Sequence, residues 1–542
     1  NKLYMLVQLQ YAGRESGYVI INIPSDALPR FKSGTVNETT YIIFIEDIVK
    51  QHLPYMFRQA TVAGAWNFKI TRDAELNLED DFAEDMAEKI EKQIMKRDYG
   101  FATRFLYQPG IPPTGLEMII DKLGLAKAGI VAGGVYHNLK DLASLPINKG
   151  GSPSKGGSPL FIAEYEPWPA ILHPATGKTH SIFEAIAAKD IIIHPPYQSY
   201  NTVLRYFNEA AIDPAVSEIY VTLYRVADDS KIVNALISAA RNGKQVTVLV
   251  ELKARFDEAN NIRWARKMKE AGVKIIYSDQ ALKVHAKIAL VKRKDKIGTY
   301  YAGLLATGNL NESTARFYTD HILLTADYAM LNEVEQLFVY LSQRKKTGNT
   351  NIKFNHLLVA QFNLQQVFIN KIDREIAWAR QGRPAKIIIK LNNLEEKKLI
   401  SKLYEASQAG VQVQLLVRSI CCLMPGVVGM SENITVRRIV DRYLEHGRVF
   451  IFHNGGDEEI YLGSADWMDR NIYRRIEVCF PIYDKAVQQE IKDLIDLQLR
   501  DTVQAVQLDS RLQNHPIENT EQSIRSQEAI YHYIKNKAAN LA

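Results

Sequence analysis

Along residues 216–278 the hydrophobic positions alternate between two rhythms. EIYVTLYRV and KQVTVLVEL are short, nearly continuous apolar runs rich in β-branched residues, the pattern of strands covered on both faces. DSKIVNALISAARNG and ANNIRWARKMKEAG instead place apolar residues every three or four positions, which predicts amphipathic helices closing at Gly243 and Gly272. VKIIYS adds a third strand, and the alternation predicts a covered, largely parallel sheet. The same rhythm returns as AKIIIKL, EEKKLISKLYEASQAG and VQVQLLVRS. An amphipathic helix over roughly 485–509 is expected to close the chain.

Aligning Gly243 with Gly410 sets Ile232 on Leu399, Leu236 on Leu403, Ala239 on Ala406, and Val246, Val248 and Val250 on Val413, Leu415 and Val417. The matches fall on core positions of a strand-helix-strand unit, so the pattern reads as a duplication. Residues 1–170 follow another plan, mixing strand-like YVIINIP, TYIIFIE and WNFKITRD with a helix over LEDDFAEDMAEKIEKQIMKR, whose acidic start and basic end suit its dipole. Two polar, Gly/Ser-rich or charged runs, 148–159 and 343–350, mark boundaries. The expected domains are therefore 1–170 (α+β), 171–350 and 351–542 (both α/β), in keeping with a chain of 542 residues, too long for one core. The first residue is Asn rather than Met and the chain enters a strand at once, so an upstream segment is expected.

Each copy carries a histidine followed two residues later by a cation, His285-Ala286-Lys287 and His446-Gly447-Arg448. On a β-strand that spacing puts both side chains on one face. The imidazole can attack phosphorus while the cation neutralises phosphoryl oxygens. Each motif precedes a small-residue turn, Thr307-Gly308-Asn309 and Gly463-Ser464-Ala465-Asp466, whose polar side chains either orient the histidines or only form turns. This is the arrangement of the phospholipase D superfamily. The fold class expected is thus α/β, with two duplicated phospholipase D-like domains sharing one active site behind an α+β domain. Arg225, Arg255 and Arg418 follow strands where an α/β sheet presents side chains to a crevice, and suit a polyphosphoryl ligand. His453 is an alternative second histidine; His194 is read as structural.

Composition narrows this. With 46% hydrophobic and 24% charged residues the chain is ordinary globular material, and no apolar run approaches the roughly 20 residues that span a bilayer. Three cysteines give no disulfide framework or metal-ligand spacing, which fits a reducing cytoplasm. A net charge of +6 is mild for this length and argues against a dedicated nucleic-acid binder.

Longer stretches, TLYRVADDSKIVNALISAARNGKQVTVLVELKARFDEANNIRWARKMKEAGVKIIYS, LKVHAKIALV, TGNLNESTARFYTDHILLT, SENITVRRIVDRYLEHGRVFIF and YLGSADWMDRNIYRRIEV, resemble the bacterial polyphosphate kinases of the first type over nearly the whole chain. The resemblance implies reversible transfer of the ATP terminal phosphate to inorganic polyphosphate through a phosphohistidine, with Mg2+, in a cytoplasmic homo-oligomer (dimer or tetramer) that neither inserts into membranes nor binds nucleic acid. It implies that the phosphorylated residue is His285, assisted by Lys287 and His446. It further implies nucleotide contacts by Tyr318, Arg418 and His446. Arg225 and Arg255 match positions near the metal, where an arginine can hold only the phosphates that carry it. The sequence departs from the family at Gly303, Leu304, Leu310 and Met424. The family's upstream domain is expected to be absent. A phospholipase D-type phosphodiesterase or nuclease is the alternative; Val291 and Lys292 stand where its aspartate belongs, and Arg448 replaces its second lysine.

Overall fold

The computed structural model describes residues 2–13, 15–25, 27–37, 39–72, 102–146, 168–174, 181–252, 254, 257–278, 282–343, 352–517 and 523–541. The helix expected over 78–97, the run 148–159 and residues 344–350 lie outside them. The chain divides into two compact units, Asn1–Glu164 and Tyr165–Ala542.

In the first unit a five-stranded sheet runs in the order Gly17–Ile23, Leu3–Gln10, Thr61–Arg72, Ala102–Tyr107, Gly129–Ala132. Strand alternation sends Leu3, Met5, Val7 and Leu9 into one apolar cluster and Leu6 into the other, so the sheet has a core on each face. The helices Ile45–Met56 and Pro113–Lys122 supply the covering residues Leu53 and Ile119. Sheet with segregated helices is the α+β arrangement expected.

The second unit contains the duplication. One sheet orders Lys274–Tyr277, Gln245–Val250, Val216–Leu223, Ile288–Lys294, Thr299–Ala306, Ile322–Thr325 and Ile191–Ile193. The other contains, in matching sequence, Ile434–Ile439, Gln412–Val417, Lys386–Leu391, Arg448–Phe452, Glu459–Gly463 and Val478–Pro481, with further strands at both edges. In each copy the first three strands are parallel and the rest antiparallel. The expectation of a largely parallel sheet is therefore half right. IALVK in Ile288–Lys294 is buried on both faces, and a central antiparallel strand covered on both sides shows the same continuous apolar run as a parallel one.

Helix ends repeat as well. Ser230 caps the helix Lys231–Arg241 through Val233 N, and Glu396 caps Lys397–Gln408 through Leu399 N. Asp327 and Asp484 do the same for Tyr328–Ser342 and Lys485–Leu499. Gly243 and Gly410, the residues that anchor the alignment, have φ of +83° and +94°, which only glycine adopts without strain. One apolar core runs under both copies, joining Val284, Ala286 and Leu305 to Val449, Ile476 and Val478. The helix expected over 485–509 stops at Leu499, because the Asp501 carboxylate accepts the N–H groups of Val503, Gln504 and Ala505. Ala505–Leu508 becomes a strand, and the chain closes instead with the helix Ser526–Leu541.

Candidate active site

Two short ladders join the copies. Lys283–Val284 pairs in parallel with Arg475–Ile476, and Tyr318–Thr319 pairs in parallel with Leu444–Glu445. The residue after each strand is ionisable: His285 and Glu477 leave the first ladder, Asp320 and His446 the second. The register makes each histidine meet a carboxylate from the other copy. His285 Nδ1 lies 2.9 Å from Glu477 Oε2, and His446 Nδ1 lies 2.9 Å from both oxygens of Asp320.

The histidines thus sit in the links between ladder and sheet, not on the long strands. The shared strand face expected for His-x-cation is replaced by a crossing, because the chain must leave its partner copy's ladder before entering its own sheet. Lys287, fully buried, donates its ammonium to the His285 carbonyl and stands 5.2 Å from the Tyr224 ring. The same Tyr224 ring packs edge-on to His285.

The small-residue turns hold the carboxylates. Thr307 Oγ1 donates to Asp320 at 2.6 Å and Ser464 Oγ donates to Glu477 at 2.5 Å, each across 13 residues of sequence. A Cβ on Gly308 would stand 1.9 Å from Asp320 Oδ2, so that turn requires glycine. Asn471 Nδ2 adds a second donor to Glu477 at 2.5 Å. Asp466 serves Arg448, whose Nη2 it meets at 3.3 Å, and also accepts the Asn392 N–H. Arg448 Nη1 reaches the Thr307 carbonyl and approaches His446 Nε2 at 3.3 Å. Asn311 shapes its turn, accepting Ser313 N and Thr314 N, and its Nδ2 donates to the Arg225 carbonyl at 3.3 Å. Asn309 Oδ1 is buried without a hydrogen bond.

Charge follows from this geometry. Burial drives His285 down to about 3, against the pull of Glu477, so its ring is neutral at pH 7. Burial alone would raise Glu477, but His285, Lys287 and Arg475 outweigh it and hold it at about 2. The result is a buried carboxylate accepting Nδ1–H and an unprotonated Nε2. His446 is also lowered, by burial first, while Asp320 opposes. Burial pushes the Lys287 ammonium well below its usual range.

Of the other residues singled out from sequence, Tyr318 packs its ring 4.8 Å from that of His446. Arg418 Nε donates to Asn392 Oδ1, and Asn392 Nδ2 donates to the His446 carbonyl, so Arg418 joins the second half-site. Arg225 follows the strand leading to Tyr224, but its Nε meets Asp257 Oδ2 at 2.8 Å, and the side chain is 39% exposed. Arg255 lies outside the described residues. His453 follows the far end of the strand Arg448–Phe452 from His446, with its N–H on the Lys386 carbonyl, and is not part of the site. Sequence reasoning missed Glu477, Asp320, Tyr224, Arg475 and Asn392. A signal for the carboxylates existed in the equal spacing from Thr307 to Asp320 and from Ser464 to Glu477.

Sequence models of the polyphosphate kinase middle domain, C-terminal domain 1 and C-terminal domain 2 match residues 1–145, 181–347 and 357–527. The chain is 40% identical to the polyphosphate kinase of Salmonella typhimurium, over 98% of this chain and 77% of that protein. The chain belongs to the polyphosphate kinase family. The Escherichia coli K12 polyphosphate kinase is 39% identical over the same shares of both chains. The crystal structure of polyphosphate kinase from Porphyromonas gingivalis superimposes with a TM-score of 0.83 at 39% identity, covering 99% of this chain and 78% of that one. The enzyme is a polyphosphate kinase, and the α/β duplication spans its two matched C-terminal domains. No helix among the described residues is long and apolar enough to cross a membrane.

A kinase generally works with a divalent metal. Among the described residues no group of three or more His, Cys, Asp or Glu side chains could hold one. The site carboxylates are committed to His285, His446 and Arg448. This donor set fits a metal that arrives on its ligand better than one held in an all-protein cage.

Proposed function

We propose that His285 carries the phosphoryl group in a two-step transfer between ATP and polyphosphate. The observation that carries this reading is the Nδ1 contact of His285 with the buried Glu477 carboxylate, which leaves Nε2 as the only free lone pair. In the first step Nε2 attacks the γ-phosphorus, the N–P bond forms and the P–O bond to ADP breaks. In the second, a terminal polyphosphate oxygen attacks the phosphohistidine, and the N–P bond breaks. Glu477 stays ionised and offsets the positive charge that the imidazole gains on phosphorylation. Lys287, whose ammonium rests on the His285 carbonyl, is assigned to neutralise the transferring oxygens.

His446, on the opposite half-site, accepts from Arg448 at rest. A phosphate bound at Arg448 raises the basicity of His446, which then donates to the leaving or attacking oxygen. Arg418 and Tyr318 surround the same histidine and are assigned to the nucleotide. Arg225, released from Asp257, and Arg255 are assigned to the phosphates that carry the metal, Mg2+, which neutralises charge on the β- and γ-oxygens when bound. The three-part division 1–170, 171–350 and 351–542 is supported by the bounds of the three family matches. We place the enzyme in the cytoplasm as a homo-oligomer; the free Cys421, Cys422 and Cys479 suit a reducing compartment.

Incubation with γ-labelled ATP and Mg2+ tests this. Acid-labile label on His285 and formation of polyphosphate are expected, and both vanish in His285→Ala. Label at another residue, or phosphodiester cleavage without a phosphohistidine, overturns it.

A further inference from the structure

Behind the second half-site lies a buried polar chain that the transfer steps leave unused. His321 and His194 are 7% and 1% exposed, and their Nδ1 atoms stand 2.8 Å apart with the rings nearly perpendicular. His194 Nε2 faces Glu490 Oε1 at 3.5 Å, and Glu490 Oε2 accepts from Lys537 Nζ at 2.9 Å. Glu490 and Lys537 belong to the helices Lys485–Leu499 and Ser526–Leu541, so the chain runs from the C-terminal helices into the first copy.

Its inner end touches the turn that presents His446. A Cβ on Gly447 would stand 2.9 Å from His321 Cδ2 and 3.1 Å from Nε2, so the imidazole is the surface on which Gly447 rests. The backbone around His321 holds the rest of that turn. His321 N donates to Thr307 Oγ1 and Thr307 N donates to the His321 carbonyl. The Thr319 carbonyl accepts Gly447 N at 2.8 Å and His446 N at 3.2 Å. Asp320, which grips His446, has its own N–H on the carbonyl of Pro195, next to His194.

Two facing imidazole nitrogens share one proton, so one ring must donate and the other accept. Burial, then the neighbouring His194 and Lys390, hold His321 neutral. Burying three polar groups in series, His321, His194 and Glu490, costs more than an apolar filling of equal volume. A wall that only filled space under Gly447 would be built more cheaply from leucine. What the imidazole pair adds is direction, because a hydrogen bond fixes the rotation of the His321 ring and packing alone does not.

We propose that His321, clasped by His194, is a positioning residue that seats Gly447 and so fixes His446 for phosphoryl transfer. The inference rests on the role given to His446 above. Small displacements of a reacting group are costly, with about 1 Å sufficient for a hundredfold loss.

The test compares His321→Leu with His321→Asn in the full chain. Asparagine returns a hydrogen-bonding atom to the Nδ1 position, and leucine returns only bulk. At unchanged Tm, kcat is expected to fall about ten- to hundredfold in the leucine variant, with KM for ATP held, and to recover largely in the asparagine variant. Unchanged kcat in His321→Leu overturns the proposal, as does an equal loss in both variants or a KM that rises in step with kcat loss. Should His321→Leu fail to fold, His194→Leu against His194→Asn asks the same question from the partner ring. His446→Ala runs in parallel: loss there with full activity in His321→Leu removes only this inference, whereas full activity in His446→Ala removes the role of His446 itself.

Discussion

Glu477 and His285 come from different copies of the duplicated unit, yet Oε2 and Nδ1 meet at 2.9 Å because the ladders that precede them are in parallel register. Asp320 and His446 repeat the relation with the copies exchanged. Neither copy alone orients its own motif histidine, His285 or His446.

Glu477→Gln is therefore expected to act on chemistry rather than binding. The amide keeps the size but loses the charge, and it can present N–H to Nδ1, which favours the wrong tautomer. By analogy with the buried carboxylate of a Ser-His-Asp triad, kcat should fall about 10³- to 10⁴-fold. Rapid-quench measurement of phosphohistidine formation checks this; a normal rate of labelling in Glu477→Gln would show that the carboxylate is not the orienting group.

Gly308→Ala and Gly463→Ala separate function from stability. The new methyl at 308 meets the Asp320 carboxylate at 1.9 Å and must displace it from His446 and Thr307. At 463 it meets Cys479 Sγ at 2.2 Å and backbone at 2.9 Å, inside the sheet. Activity should collapse in the first variant with a modest change in Tm. Overpacking in the second should cost about 1–3 kcal/mol. Urea titration and kcat for both variants settle it, and matched profiles would contradict the assignment.

Much of this was legible in the chain, and the limits have physical causes. The strands Gln245–Val250 and Gln412–Val417 and the helix ends Arg241 and Gln408 stand at the same offsets from Gly243 and Gly410, since core periodicity and left-handed turns are written locally. The half-sites were visible as His285 with Lys287 and His446 with Arg448. Glu477 and Asp320 were not, because their partners lie 192 and 126 residues away, and pairing at that range depends on ladders only two residues long. The strand Ala505–Leu508 was hidden by the helical period before it, which Asp501 interrupts with a carboxylate turn.

Stability should decline on mild acidification. His285 titrates near 3 in the fold, against 6.5 when unfolded, so between those values the unfolded chain binds a proton the fold refuses. Stability falls as pH drops through that window, by about 1.4 kcal/mol per pH unit for one fully developed histidine. His446 and His321 are lowered too and add to the slope. Glu477 and Asp466, both near 2 in the fold, contribute stability above pH 4.5 that is lost below it. Urea midpoints at pH 7.5, 6 and 5 should descend; a flat curve over that span would mean the histidines are charged in the fold.

Arg448→Lys asks whether planarity matters at the second half-site. The guanidinium meets both Asp466 oxygens, the Thr307 carbonyl and the His446 ring at once, from a side chain 4% exposed. An ammonium has the charge but not the fork, so it can satisfy Asp466 and must abandon either Thr307 or His446. KM for ATP and kcat should both worsen, and His446 should titrate higher once the neighbouring cation is drawn toward Asp466. The pH dependence of kcat/KM reports that shift, and an unchanged profile with unchanged kcat would remove Arg448 from the site.

Metal removal separates a nucleotide-borne ion from a structural one. The described residues offer no carboxylate cluster for a resident cation, and Asp320, Asp466 and Glu477 are each occupied by a histidine or an arginine. Chelation by EDTA should therefore stop phosphoryl transfer while leaving Tm unmoved in the absence of nucleotide. Adding ATP with Mg2+ should raise Tm, since a ligand that binds only the folded chain stabilises it by mass action. Arg225→Ala should weaken that rise without altering Tm of the free enzyme, because its resting partner Asp257 is partly solvated and such a pair contributes about 0–1 kcal/mol. A drop in Tm on chelation alone would place a metal in the protein itself and overturn the phosphate-borne assignment.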